Sequence, residues 1–240
     1  MKANITFSGF STGFLDLFLP RHCLVCGTPL ALHESHLCIN CLAGLPRTGY
    51  SCRSHNPMAD RFNSFVESGC YCYATALFYY RSGTGYRRIT QSLKYEADFS
   101  AGRFFARRLG EKMVASDLYS DVDAVIPVPL HWTRRWTRGY NQAEIIAREL
   151  AVALRADLRT DILYRARRTR SQATLSVGEK ERNVRLAFLV RRNVRWPAGG
   201  YSHILLVDDV FTTGATLYSC YSALRPYTSA RISVATLAVV

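Results

Sequence analysis

The most informative stretch of this chain is residues 204–216, which read ILLVDDVFTTGAT. The four apolar residues at 204–207 are typical of a strand buried on both faces of a parallel sheet. Asp208 and Asp209 follow at the expected end of that strand, since burying unpaired carboxylates in a core would be prohibitive. The small, hydroxyl-bearing turn at 212–216 then opens a predicted helix. This order of strand, acidic pair and helix start predicts a ligand site.

The chemistry of these residues suggests which group they hold. Adjacent carboxylates can hydrogen-bond a vicinal diol, and the amides and hydroxyls at a helix start can hold an anion. We therefore expect a ribose 5-phosphate group, with its diol on the aspartates. The residues expected around its phosphate are Thr212, Thr213, Gly214, Ala215 and Thr216. The alternative is a capped helix that follows an exposed acidic turn.

Strand and helix patterns alternate on both sides of this stretch. Strands are expected at 74–80, 122–128, 188–190, 204–207 and 232–240, and helices at 88–95, 101–115, 139–154 and 216–224. Such alternation predicts an α/β fold, with a mostly parallel sheet and helices on both faces. Ligands of such sheets bind at the carboxyl ends of the strands. Lys94 and Tyr95, at the end of a predicted helix, are further candidates to face that cleft.

Composition bounds the class of protein. The chain has 240 residues, of which 48% are hydrophobic and 20% charged. This is enough apolar material for a sizeable core, so wholesale disorder is excluded. No apolar run approaches the ~18 residues of a membrane-spanning helix. A charge at Asp16 interrupts the apolar N-terminal stretch and no secretory cleavage pattern follows it, so we expect a cytoplasmic location.

Arginine dominates the charge of the chain. The formal net charge is +13, and only four of the 31 basic residues are lysines. Guanidinium groups match phosphate oxygens two at a time. The excess therefore favours a phosphate-rich partner or substrate, and the alternative is a solvated basic surface.

Two cysteine pairs, Cys23-x-x-Cys26 and Cys38-x-x-Cys41, have the spacing of a metal site. Four thiolates in this arrangement can surround one Zn²⁺ tetrahedrally, which predicts a closed, structural site. The alternatives are disulfides, which are rare in the expected compartment, and redox chemistry, which normally uses a single such motif. Residues 46–70 are rich in Ser, Gly, Asn and Pro and predict a linker or long loop.

Residues 204–216 resemble the 13-residue phosphoribosyl pyrophosphate (PRPP) motif of type I phosphoribosyltransferases. With the two cysteine pairs, the PVPL run at 127–130 and the RGYNQ run at 138–142, the whole chain is similar to the ComF family. These are phosphoribosyltransferase-like proteins linked to competence and DNA uptake or utilisation. The resemblance implies an N-terminal zinc module and linker at 1–72 and a type I phosphoribosyltransferase domain at 73–240.

The chain departs from the family pattern at its second metal site. Many relatives carry a second pair of cysteine knuckles, whereas here only Cys52, His55, Cys70 and Cys72 stand nearby. A second zinc site and ordinary thiols both remain open at these positions.

The resemblance also implies roles for particular residues. Asp208 and Asp209 would bind the ribose 2- and 3-hydroxyls, and residues 212–216 the 5-phosphate. Mg²⁺ would accompany PRPP, mostly through water and pyrophosphate oxygens. The loop after the first core strand would bind pyrophosphate, and its residues are Leu130, His131, Arg134, Arg135 and Arg138. Arg138 joins the two aspartates as a candidate catalytic residue, and the alternative for this loop is a solvated basic turn.

A second basic segment, residues 167–175 with Arg182 beyond it, resembles the flexible catalytic loop of amidophosphoribosyltransferases. Such a loop closes over PRPP and protects the ribosyl centre from hydrolysis. The residues assigned to it are Arg168, Arg170, Gln172 and Arg182. The alternative is a basic surface loop.

The sequence and the resemblance together leave two alternative functions. The first is transfer of phosphoribose from PRPP to an acceptor that no residue identifies, with release of pyrophosphate. The second is a non-catalytic accessory protein of DNA uptake that retains a PRPP pocket and binds single-stranded DNA, with Trp132, Trp136 and Tyr140 stacking among the arginines. Nothing in the sequence indicates an oligomeric state.

Overall fold

The computed structural model describes residues 21–66, 71–81, 83–130, 139–166 and 187–240. Its α-helices are α1 (Ile39–Ala43), α2 (Pro57–Asn63), α3 (Arg87–Tyr95), α4 (Phe99–Val114), α5 (Gln142–Leu154) and α6 (Ala215–Leu224). Its strands are β1 (Ala74–Tyr79), β2 (Ala124–Pro127), β3 (Asp157–Leu158), β4 (Leu163–Arg165), β5 (Phe188–Val190), β6 (His203–Phe211) and β7 (Arg231–Val239). Within these described ranges, no helix combines the length and the apolar character needed to cross a membrane.

Five strands form one parallel sheet in the order β1-β7-β6-β2-β3, with β6 at its centre. Strands β4 and β5 pair antiparallel in a separate two-stranded ribbon. The predicted mostly parallel sheet is therefore confirmed. Residues 204–207 of β6 are apolar throughout, as its central position with both faces buried requires.

Helices cover both faces of the sheet, as predicted. Successive side chains of a strand point to opposite faces, and Ile204 and Leu206 pack on one side while Leu205 and Val207 pack on the other. The first side also holds α2 and α6, and the second holds α3, α4 and α5. Each face of β6 thus has its own hydrophobic core.

The connections diverge between β2 and β6. Strand β2 leads through α5 to β3 on one side, whereas β6 leads through α6 to β7 on the other. Neighbouring parallel strands whose connections leave in opposite directions open a crevice at their carboxyl ends, where open α/β sheets bind ligands. The topology therefore places the ends of β2 and β6 at the candidate site.

Strand β6 is longer than its sequence predicts. It continues through Asp208 and Asp209 to Phe211, because β7 stays in register beside it, with Asp208 opposite Thr236 and Phe211 opposite Val239. The expectation that the strand stops at 207 is therefore wrong. The aspartates lie within the last part of the strand rather than after it.

The expected linker at 46–70 is wrong for residues 57–63, which form α2. Pro57 occupies the first turn, and the side chain of Asn56 accepts hydrogen bonds from the amides of the next turn, at 3.1 and 3.0 Å. Met58 and Phe62 are fully buried in the core. This stretch of polar composition therefore contains a helix whose largest apolar residues, Met58 and Phe62, point into the core. The domain division at residue 72 stays a prediction.

Candidate functional site

The acidic pair at the end of β6 is held by a lysine from a distant helix. Asp209 Oδ2 lies 2.8 Å from Lys94 Nζ, and the Asp209 side chain is 10% exposed. Lys94 is in the last turn of α3, which packs on one face of the sheet. The ion pair supplies the partner that a nearly buried carboxylate needs.

Asp208 has a different environment, because neighbouring side chains of a strand point to opposite faces. Its Oδ1 accepts a hydrogen bond of 2.9 Å from the backbone N–H of Asp209. Burial, and then the charge of Asp209, raise the pKa of Asp208 from its ordinary 3.8 to about 8. Near neutral pH this carboxyl group is therefore largely protonated, and it can donate as well as accept a hydrogen bond. A sugar hydroxyl, which also does both, is a suitable partner.

The turn after β6 brings small polar groups beside Asp208. Gly214 has φ +82°, and a Cβ at this position would lie 2.7 Å from the ring of buried Phe211. Glycine is therefore required here, and α6 starts at the next residue. A small concavity of about 20 Å³ is lined by Asp208, Val210, Phe211, Thr212, Gly214, Thr216 and Leu217.

The first amides of α6 face the same region. The first four N–H groups of a helix have no partner within it and attract negative charge. The N–H of Ala215 reaches only the Thr213 hydroxyl, at the long distance of 3.4 Å, and Thr212 and Thr213 are exposed. This geometry suits an anion with oxygen acceptors, such as a phosphate.

A second, larger cavity of about 410 Å³ adjoins the carboxyl end of β2. It lies among the end of β2, the start of α5 and the β4–β5 ribbon, and its polar lining includes Glu144, Tyr164 and Arg191. Pro127, which lines it, pairs in register with Val207, the residue before Asp208. The two cavities therefore open at neighbouring strand ends. Sequence analysis missed Glu144 and Tyr164, since neither carries a motif of its own.

Two residues of the RGYNQ run position these elements. The Tyr140 hydroxyl donates to the carbonyl oxygen of Leu93, at 2.7 Å, and so fixes the turn of α3 that carries Lys94. Asn141 caps α5 and donates from Nδ2 to the carbonyl oxygen of Val128, at 3.0 Å. The motif thus ties α3 and α5 to the end of β2.

The four predicted metal-ligating cysteines converge. The sulfur atoms of Cys23, Cys26, Cys38 and Cys41 all lie within 4.8 Å of one another, and those of Cys26 and Cys38 are 3.7 Å apart. Four thiolates at ~2.3 Å from one zinc ion would be spaced by about 3.8 Å, so the donor set fits a closed tetrahedral site. Cys38 and Cys41 come from the start of α1, and Cys23 and Cys26 from the preceding turn.

The electrostatics of the cysteine cluster also suit a cation. A hydrogen bond from the Thr28 side chain, with one from its backbone, lowers the pKa of Cys26 to about 6. Burial raises the pKa of Cys41, and its bonds to the neighbouring sulfurs raise it further. A metal ion would favour the thiolate form of all four side chains at once.

No second group of candidate metal ligands occurs among the residues that the structure describes. Cys52 is exposed, and its thiol donates to the carbonyl oxygen of Gly49. Cys72 is buried, and the ring of His55 packs against Tyr71. Cys70 lies outside the described residues.

Comparison with known proteins adds sequence relatives. The chain is 39% identical over 105 residues to Competence protein F of Haemophilus influenzae, a match that covers 43% of this chain and 44% of that protein. It is 35% identical over 95 residues to DNA utilization protein YhgH of Escherichia coli K12, covering 40% of each. The predicted resemblance to the ComF family is confirmed over these stretches. The chain thus matches less than half the length of these curated relatives.

No protein-family model matches the chain. Among solved structures, it is similar to orotate phosphoribosyltransferase from Aeropyrum pernix, with 20% identity and a TM-score of 0.31. That similarity covers 68% of this chain and 71% of the other.

The structure brings together one part of the predicted site and does not describe the rest. Asp208, Thr212, Gly214 and Thr216 line one concavity, whereas the nearly buried Asp209 pairs with Lys94. Leu130 lines the larger cavity at the neighbouring strand end. Lys94, expected to face the cleft, contacts Asp209, whereas Tyr95 is largely exposed. The other predicted loop residues lie outside the described part of the chain, and they are His131, Arg134, Arg135, Arg138, Arg168, Arg170, Gln172 and Arg182. Their assignments stay predictions.

Proposed function

We propose that this chain binds PRPP and transfers its phosphoribosyl group to an acceptor, releasing pyrophosphate. The single observation that carries the proposal is the concavity in which Asp208 meets the hydroxyl-lined start of α6. It offers a diol partner and a phosphate partner side by side, at the crevice that the sheet topology opens.

The Asp208 carboxyl group suits the reaction. As the C1–O bond to pyrophosphate breaks, its electron pair leaves with pyrophosphate and the sugar carbon becomes positive. Hydrogen bonds from the sugar hydroxyls to the Asp208 carboxyl oxygen would help to disperse that positive charge, and the lone pair of the acceptor then forms the new bond to C1 as the acceptor nitrogen releases its proton to water. Lys94 pairs with the Asp209 carboxylate and orients it. Mg²⁺ would enter with PRPP on the pyrophosphate oxygens.

The acceptor would occupy the larger cavity at the end of β2. Its volume of about 410 Å³ is in the range of small-molecule sites. Glu144, whose Oε1 pairs with Arg148 at 3.3 Å, can accept a hydrogen bond from an acceptor N–H group at its other oxygen. Tyr164 and the Arg191 guanidinium, 5.4 Å from the centre of its ring, add planar groups to the same cavity. This arrangement favours a nitrogen-containing, planar acceptor.

We also propose that the cysteine cluster binds one structural zinc ion. Four sulfur ligands leave no open coordination position, so the ion would take no part in the reaction. The module is anchored to the sheet domain, because the Tyr86 hydroxyl donates to the carbonyl oxygen of Cys41 at 3.0 Å. Leu37 packs in the core that holds α3 and α4.

The names of the relatives support a DNA-related role for this chain, in DNA uptake or utilisation. The second candidate is therefore a non-catalytic protein of that process, in which the PRPP pocket is retained for binding alone. The two candidates differ in a single observable, which is the release of pyrophosphate.

The test is calorimetric titration with PRPP and Mg²⁺, followed by a screen for pyrophosphate release over nitrogenous acceptors. The wild type should bind PRPP, and the double variant Asp208→Asn/Asp209→Asn should not. The matched control Asp117→Asn removes one exposed carboxylate from a 3-10 turn and should leave binding unchanged. Unaltered PRPP affinity in the double variant would refute the site. PRPP binding without pyrophosphate release from any acceptor would favour the non-catalytic candidate.

A further inference from the structure

A second, strongly basic groove lies far from the acidic pair in sequence. It runs between the cysteine module and α4 and has a volume of about 590 Å³. One wall comes from the cysteine module and the other from successive turns of α4. Its lining residues are Arg21, Ser35, His36, Ser100, Arg103, Phe104, Arg107, Arg108 and Glu111.

The groove has an excess of positive charge. Its lining includes four arginines and a single carboxylate, that of Glu111. Arg103 is exposed and makes no hydrogen bond or ion pair with any described residue. Arg107 binds Glu149 through Nε, at 2.7 Å, which leaves the outer nitrogens of its guanidinium for another partner.

One of these arginines has a buried donor without a partner. Arg108 Nε is shielded from solvent and has no hydrogen-bond partner among the described residues. The guanidinium of Arg108 lies 4.3 Å from the centre of the Phe104 ring, so it covers one face of that ring and forms a cation–π pair with it.

Aromatic rings line the same groove. The rings of His36 and Phe104 are 5.1 Å apart and tilted by 59°. His36 Nε2 and Ser100 Oγ, 3.3 Å apart, join the two walls at this point. Aromatic faces between cations are the features on which single-stranded nucleic acids stack their bases.

The length of the groove favours a strand over a single nucleotide. Its residues on α4 run from Ser100 to Glu111, and at ~1.5 Å per residue this part of the helix is about 16 Å long. Phosphates along one strand are spaced by about 3.4 Å of helix axis in a duplex and further apart when extended. The groove can therefore contact more than one phosphate of the same strand.

We propose that this groove binds single-stranded nucleic acid, with successive phosphates on Arg103 and Arg107 of α4 and a base against the His36 ring and the planar Arg108 guanidinium. The inference deepens the DNA-related part of the proposed function and rests on it for the kind of partner. It places binding on the interface between the cysteine module and α4, away from the basic loops that the sequence indicated. Loss of the metal would remove one wall, so binding would require the folded module.

The experiment measures fluorescence anisotropy of a labelled oligothymidylate of about 15 nucleotides with the full-length, zinc-loaded protein. Arg103→Glu should weaken binding at least tenfold near 0.1 M salt. It should also reduce the slope of log K against log salt by about 0.7 or more, the loss of one phosphate contact. The matched control is Lys112→Glu, which makes the same charge change on the same helix at an exposed position outside the groove. This control should alter affinity less than threefold.

Three outcomes would overturn the inference. They are the absence of binding to the wild type, equal losses in Arg103→Glu and Lys112→Glu, and competition by a free nucleoside triphosphate as effective as that by the oligonucleotide. The last result would show a site for single nucleotides. PRPP titration of Arg103→Glu separates this inference from the proposed function. Intact PRPP binding with weakened oligonucleotide binding supports the groove, whereas weakening of both would indicate general damage and refute it.

Discussion

Replacing Asp208 by Asn should stabilise the protein relative to the wild type, by an amount that grows as the pH rises. In the folded chain the pKa of Asp208 is about 8, because of burial and the charge of Asp209, against 3.8 ordinarily. At pH values between these two pKa values, Asp208 holds a proton in the folded chain but has lost it in the unfolded chain. The free energy of unfolding of the wild type therefore decreases as pH rises from about 4 to about 8. Asparagine does not ionise, so the variant lacks this decrease.

The size of the effect follows from the two pKa values. Each pKa unit corresponds to ~1.4 kcal/mol, so the full displacement sets an upper limit of about 6 kcal/mol. Asp208 is only partly buried and lies at the solvent-accessible edge of the site, where water and small movements relieve part of the cost of ionising its carboxyl group. We expect the variant to gain about 2 to 3 kcal/mol over the wild type at pH 9 and close to none at pH 4.

Urea unfolding of both proteins between pH 4 and pH 9 measures this difference. Asp117→Asn, at an exposed position, is the control and should follow the wild type at every pH. A difference between Asp208→Asn and the wild type that stays constant with pH would show that Asp208 is ionised throughout, and would refute the reasoning. The same variant should lose PRPP affinity, so stability and binding are expected to change in opposite directions.

Three further predictions concern other parts of the structure. Cys38→Ser should abolish zinc binding, measured by metal analysis, and should unfold the cysteine module while the sheet domain still unfolds cooperatively. The control is Cys52→Ser at an exposed cysteine, and zinc retained in Cys38→Ser would contradict the site. Gly214→Ala should cost about 1 to 3 kcal/mol in urea unfolding, because φ is +82° and the new Cβ would meet Phe211 at 2.7 Å; a loss below ~0.5 kcal/mol would show that the turn relaxes. Lys94→Gln should lower the free energy of unfolding by about 1 to 3 kcal/mol at pH 7, because it leaves Asp209 without its cation. The loss should be smaller in a protein that also carries Asp209→Asn, and equal losses with and without Asp209→Asn would disprove the coupling.

The local features of the chain could be predicted from its sequence. The apolar run before Asp208 indicates a buried strand, the small residues after it indicate a turn into a helix, and the two Cys-x-x-Cys pairs indicate a metal site. Each of these depends on residues close together in the chain, whose spacing determines what their backbone and side chains can do. The structure confirms the parallel sheet, the helices on both faces and the convergence of the four thiols.

The partners of these features are visible only in the tertiary structure. Nothing near Asp209 in the sequence indicates that Lys94 neutralises it, and nothing in the polar stretch at 46–70 indicates that α2 enters the core. The extension of β6 to Phe211 depends on the register of β7. The basic groove exists because the cysteine module packs beside α4, which brings Arg21 and His36 to face Arg103. Such contacts join distant segments through burial and charge neutralisation, and these depend on how the whole chain packs rather than on local sequence.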